Sequence, residues 1–206
     1  MLDAHDRTAS CPERFLQQAA QNNLTIAMPS TPASYFHFLR DHALSQRRAP
    51  LVVFTPKSML RLKAAVSAAT DLTEGQLQPV IGDAEADPTK VSRVLLCTGK
   101  ITWDLMAARN DQTREDIAIV RIEQLYPLNI PAVHAALAWY SSNADFVWVQ
   151  EEPENQGAWT YMLLNLVPHL DRVLTAITRE ASASTATGSH NVHAREQADL
   201  VTRALG

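Results

Sequence analysis

VSRVLLCTGKITWDLMAARNDQTREDIAIVRIEQL, residues 91–125, reads as strand, helix, strand. The apolar run VSRVLLCTG (91–99) stops at Gly99, and the amphipathic ITWDLMAARND (101–111) follows as a helix. IAIVRIEQL (117–125) is the next apolar run. Strands joined through a helix lie parallel, since an antiparallel pair needs only a tight turn. The rhythm continues downstream with a helix opened by Pro131, strand FVWVQEE (146–152), helix GAWTYMLLNLVPHL (157–170) and strand RVLTAIT (172–178). After the loop ASASTATGS (181–189), VHAREQADLVTRAL (192–205) reads as a terminal helix. The fold class is α/β: a Rossmann-like, mainly parallel sheet with flanking helices.

Upstream the same alternation is shorter. PERFLQQAAQNN (12–23) starts on a first-turn proline, and LTIAMP (24–29) reads as a strand. Thr31 or Ser30 caps a helix over 31–48, with Tyr35, Phe36, Leu39 and Leu44 as its expected buried stripe. LVVF (51–54), bounded by Pro50 and Pro56, is expected to be a fully buried strand. Acids, Pro79, Pro88, Gly75 and Gly82 break the pattern over 71–91, which reads as a linker or irregular excursion.

With 206 residues the chain is long enough to bury roughly 70% of its unfolded surface. Eighteen basic against twenty-two acidic side chains give a net charge of −4, against the basic excess of a nucleic-acid binder. No run is long and apolar enough for a membrane span. MLDAHDRTAS has neither the apolar core of a signal peptide nor a transit-peptide pattern, so a cytoplasmic setting is expected. Two distant cysteines, Cys11 and Cys97, build no disulfide framework. The six glycines lie at least seven residues apart, which rules out a dinucleotide fingerprint or phosphate loop.

Glu151, Glu152 and Glu154 form the best chemical cluster, because they follow a strand where open α/β sheets bind ligands. Crowded carboxylates there can act as acid or base; alternatively Asn155 or one of the acids caps the next helix. The histidine pairs His37/His42 and His190/His193 can begin a metal site but have no third ligand at a useful spacing, and otherwise read as surface or half-buried histidines. Cys97 reads as a small buried hydrophobe or a nucleophile. Lys57, after a buried strand, meets an anion or takes part in ordinary capping. The loop 181–189 reads as a surface connection or a phosphorylation target. Alone, these residues describe an α/β domain without its own catalytic apparatus.

FTPKSMLR (54–61), IVRIEQLYPL (119–128) and VQEEPENQGAW (149–159) resemble the end of the E1 component of 2-oxoglutarate dehydrogenase. STPASYFHFLR (30–40), and ASASTATG (181–188) followed by VHAREQ (192–197), are similar to the same family in the same order. Bacterial members are nearest in feel, including the actinobacterial type that also carries succinyltransferase activity. The resemblance implies a partial pyrimidine-binding-like segment over 1–62, a linker over 63–90 and a transketolase-like C-terminal domain over 91–206. It implies a family enzyme that uses thiamine diphosphate and Mg²⁺ to decarboxylate 2-oxoglutarate and succinylates a lipoyl-bearing E2. The Gly-Asp-Gly…Asn signature that holds them is missing, so no cofactor or metal is expected on this chain. The expected partners are a second E1 copy or a complementary E1 chain, and E2, with no nucleic acid or membrane.

The departures are equally specific. The family's His-Ser-Ser-Ala-Arg aligns with RTASC (7–11), and His5 is out of register, so no catalytic role passes to it. Thr25 and Gln124 match the acetyl-CoA activator site of actinobacterial members, but its basic positions fall on Asp41, Gln76, Pro131 and Ala132. A polyphosphate needs charge-assisted bonds, so that site is expected to be vestigial. The implied function is a C-terminal E1 fragment with a structural or dimerising role, inactive alone. The alternative is a binding module that docks on a complete E1 or E2 and regulates the complex.

Overall fold

A computed structural model describes residues 11–184 and 186–206. Met1–Ser10, with His5, and Thr185 of the Ser/Ala/Thr loop lie outside the described residues. The first elements are α1 (Pro12–Gln18), β1 (Thr25–Ala27), α2 (Pro32–Leu44) and β2 (Leu51–Val53). They are followed by α3 (Ala69–Thr73), β3 (Val80–Ile81), β4 (Arg93–Cys97), α4 (Ile101–Asp111), β5 (Ile117–Ile122) and β6 (Gln124–Tyr126). The remainder is α5 (Ile130–Leu137), β7 (Asp145–Pro153), α6 (Trp159–Asn165), β8 (Leu174–Arg179) and α7 (His190–Leu205).

The larger sheet has the order β3-β5-β4-β7-β8. Its β5-β4-β7-β8 portion is parallel, as the strand–helix alternation requires, and β3 joins antiparallel. Because β4 is central, both faces of RVLLC are buried, and alternate residues enter different cores. Val94 and Leu96 join Ala118, Val120, Trp148, Val133 and Met162 on the α5 and α6 side. Leu95 and Cys97 join Ile119, Val149, Leu105 and Leu200 on the α4 and α7 side. Each such leucine or isoleucine, fully buried, stabilises the fold by about 1.5–3 kcal/mol.

The N-terminal residues form a second sheet, β2-β1-β6. The chain leaves the large sheet at Ile122 and enters the small one at Gln124, where β6 pairs antiparallel with β1. Leu16, Leu24, Ile26, Met28 and Phe54 belong to the same apolar cluster as Val94 and Trp148. Residues 16–54 therefore pack on the large sheet through this shared cluster.

Three expectations are corrected. The expected stripe of α2 faces outward: Tyr35, Phe36 and Leu39 are 41–46% exposed and Leu44 is 70% exposed. Ser34, His37 and Phe38 are buried instead. The two polar ones can be buried because Glu123 accepts the Ser34 hydroxyl at 2.6 Å and His37 Nε2 meets Asp71 O at 2.7 Å. β2 is half-buried rather than fully buried, since among the described residues only β1 pairs with it. The stretch 71–91 is irregular for most of its length, yet it supplies β3 as a sheet edge, and the Asp83 side chain is only 1% exposed. The N-cap of α2 is Thr31, whose hydroxyl accepts Ser34 N–H at 3.1 Å.

Candidate functional site

The chain passes from β4 to β5 on one side and later returns as β7 on the other. Open α/β sheets bind ligands at such a reversal, beyond the carboxyl ends of the strands. Here Met28–Thr31 of the same chain lies across that crevice. Gly99, at φ +67°, makes the close approach possible: a Cβ there would lie 2.6 Å from Met28 Sδ. Trp103 Nε1 donates to Ser30 O at 2.9 Å, and Arg121 Nη1 donates to Ser30 Oγ at 3.1 Å. Glu123 Oε2 accepts Ser30 N–H at 2.7 Å. Ser30 is fully buried by these contacts.

Beside this plug, Lys100 follows β4 and Glu151 sits near the end of β7. Lys100 Nζ donates to Glu151 Oε1 at 2.6 Å and to Asp104 Oδ2 at 3.0 Å. Gln197 Nε2 from α7 donates to both carboxylates, at 2.9 and 2.8 Å. Burial pulls the ammonium down, but the two carboxylates outweigh it and hold Lys100 above its ordinary range. A lysine held protonated is neither a base nor a nucleophile. The Gly99–Lys100 step directly after an apolar strand was its only sequence signal.

The acidic cluster divides accordingly. Glu151 is buried and neutralised by Lys100. Burial, then the Glu151 charge, pushes half-buried Glu152 up to about 7, with Arg179 opposing and Glu13 adding to the rise. Glu154 is exposed. Neither Asn155 nor an acid caps α6. Gln150 does, as its Oε1 accepts the N–H groups of Ala158 at 3.1 Å and Trp159 at 2.8 Å. Its Nε2 donates to Pro153 O at 3.1 Å and Gln156 O at 2.8 Å. Gly157, at φ +71°, leaves the space for this amide: a Cβ would stand 2.8 Å from Gln150 Nε2. Asn155 instead anchors the loop, accepting Ser182 N–H at 2.9 Å and donating to Ser182 O at 3.0 Å.

The remaining candidates are dispersed. Cys97 is fully buried, and burial pushes its thiol up to about 12, which makes it a core side chain rather than a nucleophile. Among the described residues no three His, Cys, Asp or Glu side chains could hold a metal ion. Lys57 opens a single 3₁₀ turn, Lys57–Arg61, with no longer helix behind it. No helix is long and apolar enough to cross a membrane, among the described residues.

Thr25 and Gln124 do come together, on the wall of a cavity of about 220 Å³ that Asp41, His42 and Arg47 also line. Arg47 was not anticipated there, yet its guanidinium is committed to the carbonyls of Asn22 and Leu24. Gln124 Nε2 donates to Pro127 O at 2.7 Å. Ala132 lines a different groove.

Residues 66–205 match the family described as 2-oxoglutarate dehydrogenase C-terminal. The chain is 46% identical over 97% of its length to a multifunctional 2-oxoglutarate metabolism enzyme of Mycobacterium sp. strain KMS, of which it covers 16%. It is 45% identical over 97% of its length to the 2-oxoglutarate dehydrogenase E1/E2 component of Corynebacterium glutamicum, of which it covers 17%.

Proposed function

We infer the function from one premise: the chain belongs to the 2-oxoglutarate dehydrogenase C-terminal family. It spans about a sixth of the curated relatives it matches. On this reading it is a structural unit of an E1 assembly that decarboxylates 2-oxoglutarate and passes a succinyl group to a lipoyl-bearing E2. It carries no catalysis of its own. The observation behind this reading is the plugged crevice. Where an open sheet of this order would receive a ligand, Met28–Thr31 is seated, and Lys100, the nearest reactive side chain, is spent in ion pairs. Thiamine diphosphate and Mg²⁺ belong, on this reading, to the part of the assembly supplied by another E1 chain. A cytoplasmic setting is part of the same reading.

The surfaces left for the assembly are the outward face of α2, with Tyr35, Phe36, Leu39 and Leu44, and the free edge of β2. Apolar faces of this kind mark interfaces, and unpaired edges recruit strands. A complementary E1 chain or a second copy fits both. The purified chain, given thiamine diphosphate and Mg²⁺, is expected to consume no 2-oxoglutarate above a protein-free blank. In dilute protein, amides of residues 32–53 are expected to exchange faster than those of β4, β5 and β7, and to gain protection as concentration rises or E1 is added. Turnover by the chain alone, or equally slow exchange in a proven monomer, would overturn the reading.

The Thr25 and Gln124 cavity is proposed to be a vestige of an acetyl-CoA site. About 220 Å³ is below the usual range of roughly 300–1,000 Å³ for ligand pockets, and Asp41 repels phosphate. Calorimetric titration with acetyl-CoA is expected to show no saturable binding at micromolar concentrations. Saturable binding that is lost in Gln124→Ala would refute it.

A further inference from the structure

Between Asp41 and Asp71 the chain carries no acid. Residues 42–70 hold five cations, Arg47, Arg48, Lys57, Arg61 and Lys63, while the rest of the chain has thirteen cations against twenty-two acids. The net charge of −4 therefore conceals a local patch of the opposite sign. Arg47 is engaged with the carbonyls of Asn22 and Leu24. Lys57, Arg61 and Lys63 are exposed, and among the described residues none of them pairs with an acid. The other two lysines, Lys90 and Lys100, are both held in ion pairs, with Glu115 and Glu151.

The loop that presents these cations is anchored at both ends. Phe54 at its start is buried in the core and meets Phe15 edge-on, and Ala65 near its end is buried as well. Two residues further on, Ser67 Oγ accepts Ala33 N–H at 3.0 Å, which ties the loop to the first turn of α2. Between the anchors the chain closes the 3₁₀ turn Lys57–Arg61, with Met59 half-buried. At three residues per turn Lys57 and Leu60 fall on one face, with Arg61 next along the chain. Leu60 is 86% exposed, an apolar side chain held out among cations. A turn already closed lowers the ordering cost of binding.

Charge selects the occupant. An anionic membrane or a nucleic-acid duplex would face much of the molecule, and the acid excess outside 42–70 would be repelled. A short acidic segment feels only charges within a Debye length, about 8 Å at physiological salt, and so feels the patch alone. A second copy meeting the loop face to face would set cation against cation.

We propose that the loop 55–64 docks an acidic segment of a partner protein, whose carboxylates pair with Lys57, Arg61 and Lys63 and whose apolar side chains cover Leu60. The loop follows β2 in the chain but uses neither the β2 edge nor the α2 face. The proposal does not depend on the chain being a unit of an E1 assembly.

The probe is a fluorescein-labelled synthetic peptide of glutamates interrupted by leucines, titrated into the full chain and read by anisotropy. Saturable binding is expected, weakening as NaCl is raised to about 0.5 M, with new amide protection across residues 57–64 in hydrogen exchange. Lys57→Glu and Arg61→Glu are each expected to weaken it about fivefold, and Leu60→Ser by a similar factor. Arg195→Glu removes an exposed cation of α7 and changes the net charge by the same amount; it should leave binding within about twofold. All four side chains are exposed, so circular dichroism melts of the variants should match the parent. Glutamines in place of the peptide's glutamates should abolish binding. The absence of saturable binding, an equal loss in Arg195→Glu, protection confined to residues 51–53, or tighter binding to phosphatidylserine vesicles or duplex DNA than to the peptide would overturn the proposal.

Discussion

Asp83→Ala is expected to destabilise the chain by about 3–5 kcal/mol, the usual cost of removing one partner from a buried ion pair. The Asp83 and Arg109 side chains are 1% and 5% exposed, so the abandoned guanidinium cannot hydrate. Glu85 remains beside it at 2.8 Å, but that carboxylate is largely in solvent and screened. The Ile119 N–H would lose its acceptor as well. Asp83 takes over the β5 ladder where β3 ends, so the change should free residues 78–84 before the sheet unfolds. Urea unfolding followed by tryptophan fluorescence, with hydrogen exchange across 78–84, measures both effects. A loss below about 1 kcal/mol, the scale of an exposed pair, would mean that the bridge is not what fixes this segment.

Glu123→Ala is expected to cost about 3 kcal/mol, because it strands Ser30 N–H and Ser34 O–H in a site that water does not reach. Glu123 is fully buried, and its other oxygen, Oε1, has no hydrogen-bond partner among the described residues. Burial pushes its carboxyl above the usual range, against the bonds from Ser30 and Ser34 and the charge of Arg121. A carboxyl raised in the folded state contributes stability that is complete below the unfolded value, about 4.3, and is lost as pH rises through the folded value. Glu123→Gln keeps an acceptor and removes the proton. The stability difference between parent and Gln variant should therefore shift in favour of the parent as pH falls from 8 to about 5. Subtracting the two urea curves cancels the other titrating groups. A difference independent of pH, or an Ala variant within about 0.5 kcal/mol of the parent, would contradict the assignment.

The α/β class and the parallel direction of β4, β5, β7 and β8, though not their order in the sheet, were legible in the sequence because they rest on local chemistry. Apolar runs too short for helices alternate with amphipathic stretches, and a helix between two strands leaves few ways to connect them. The start of α2 at Thr31 or Ser30 was legible for the same reason, and that of α5 to within one residue, Ile130 with Asn129 as its cap where Pro131 was expected. What lies beyond a segment's own pattern was not. Tyr35, Phe36 and Leu39 have the spacing of a buried stripe, yet α2 turns Ser34 and His37 inward, since Glu123 and the Asp71 carbonyl wait there. No periodicity within 31–48 encodes partners that distant. Glu151 was legible as a strand-end acid, but Lys100, Asp104 and Gln197, which neutralise and orient it, come from elements far apart in the chain. The same holds for Asp83, which reads as an acid in a loop and is a buried ion partner. Sequence sets which segments are strands and helices through near-neighbour sterics and hydrophobic period. Only the tertiary structure sets which face of each segment is buried, because burying a polar group is decided by the partner it finds on arrival.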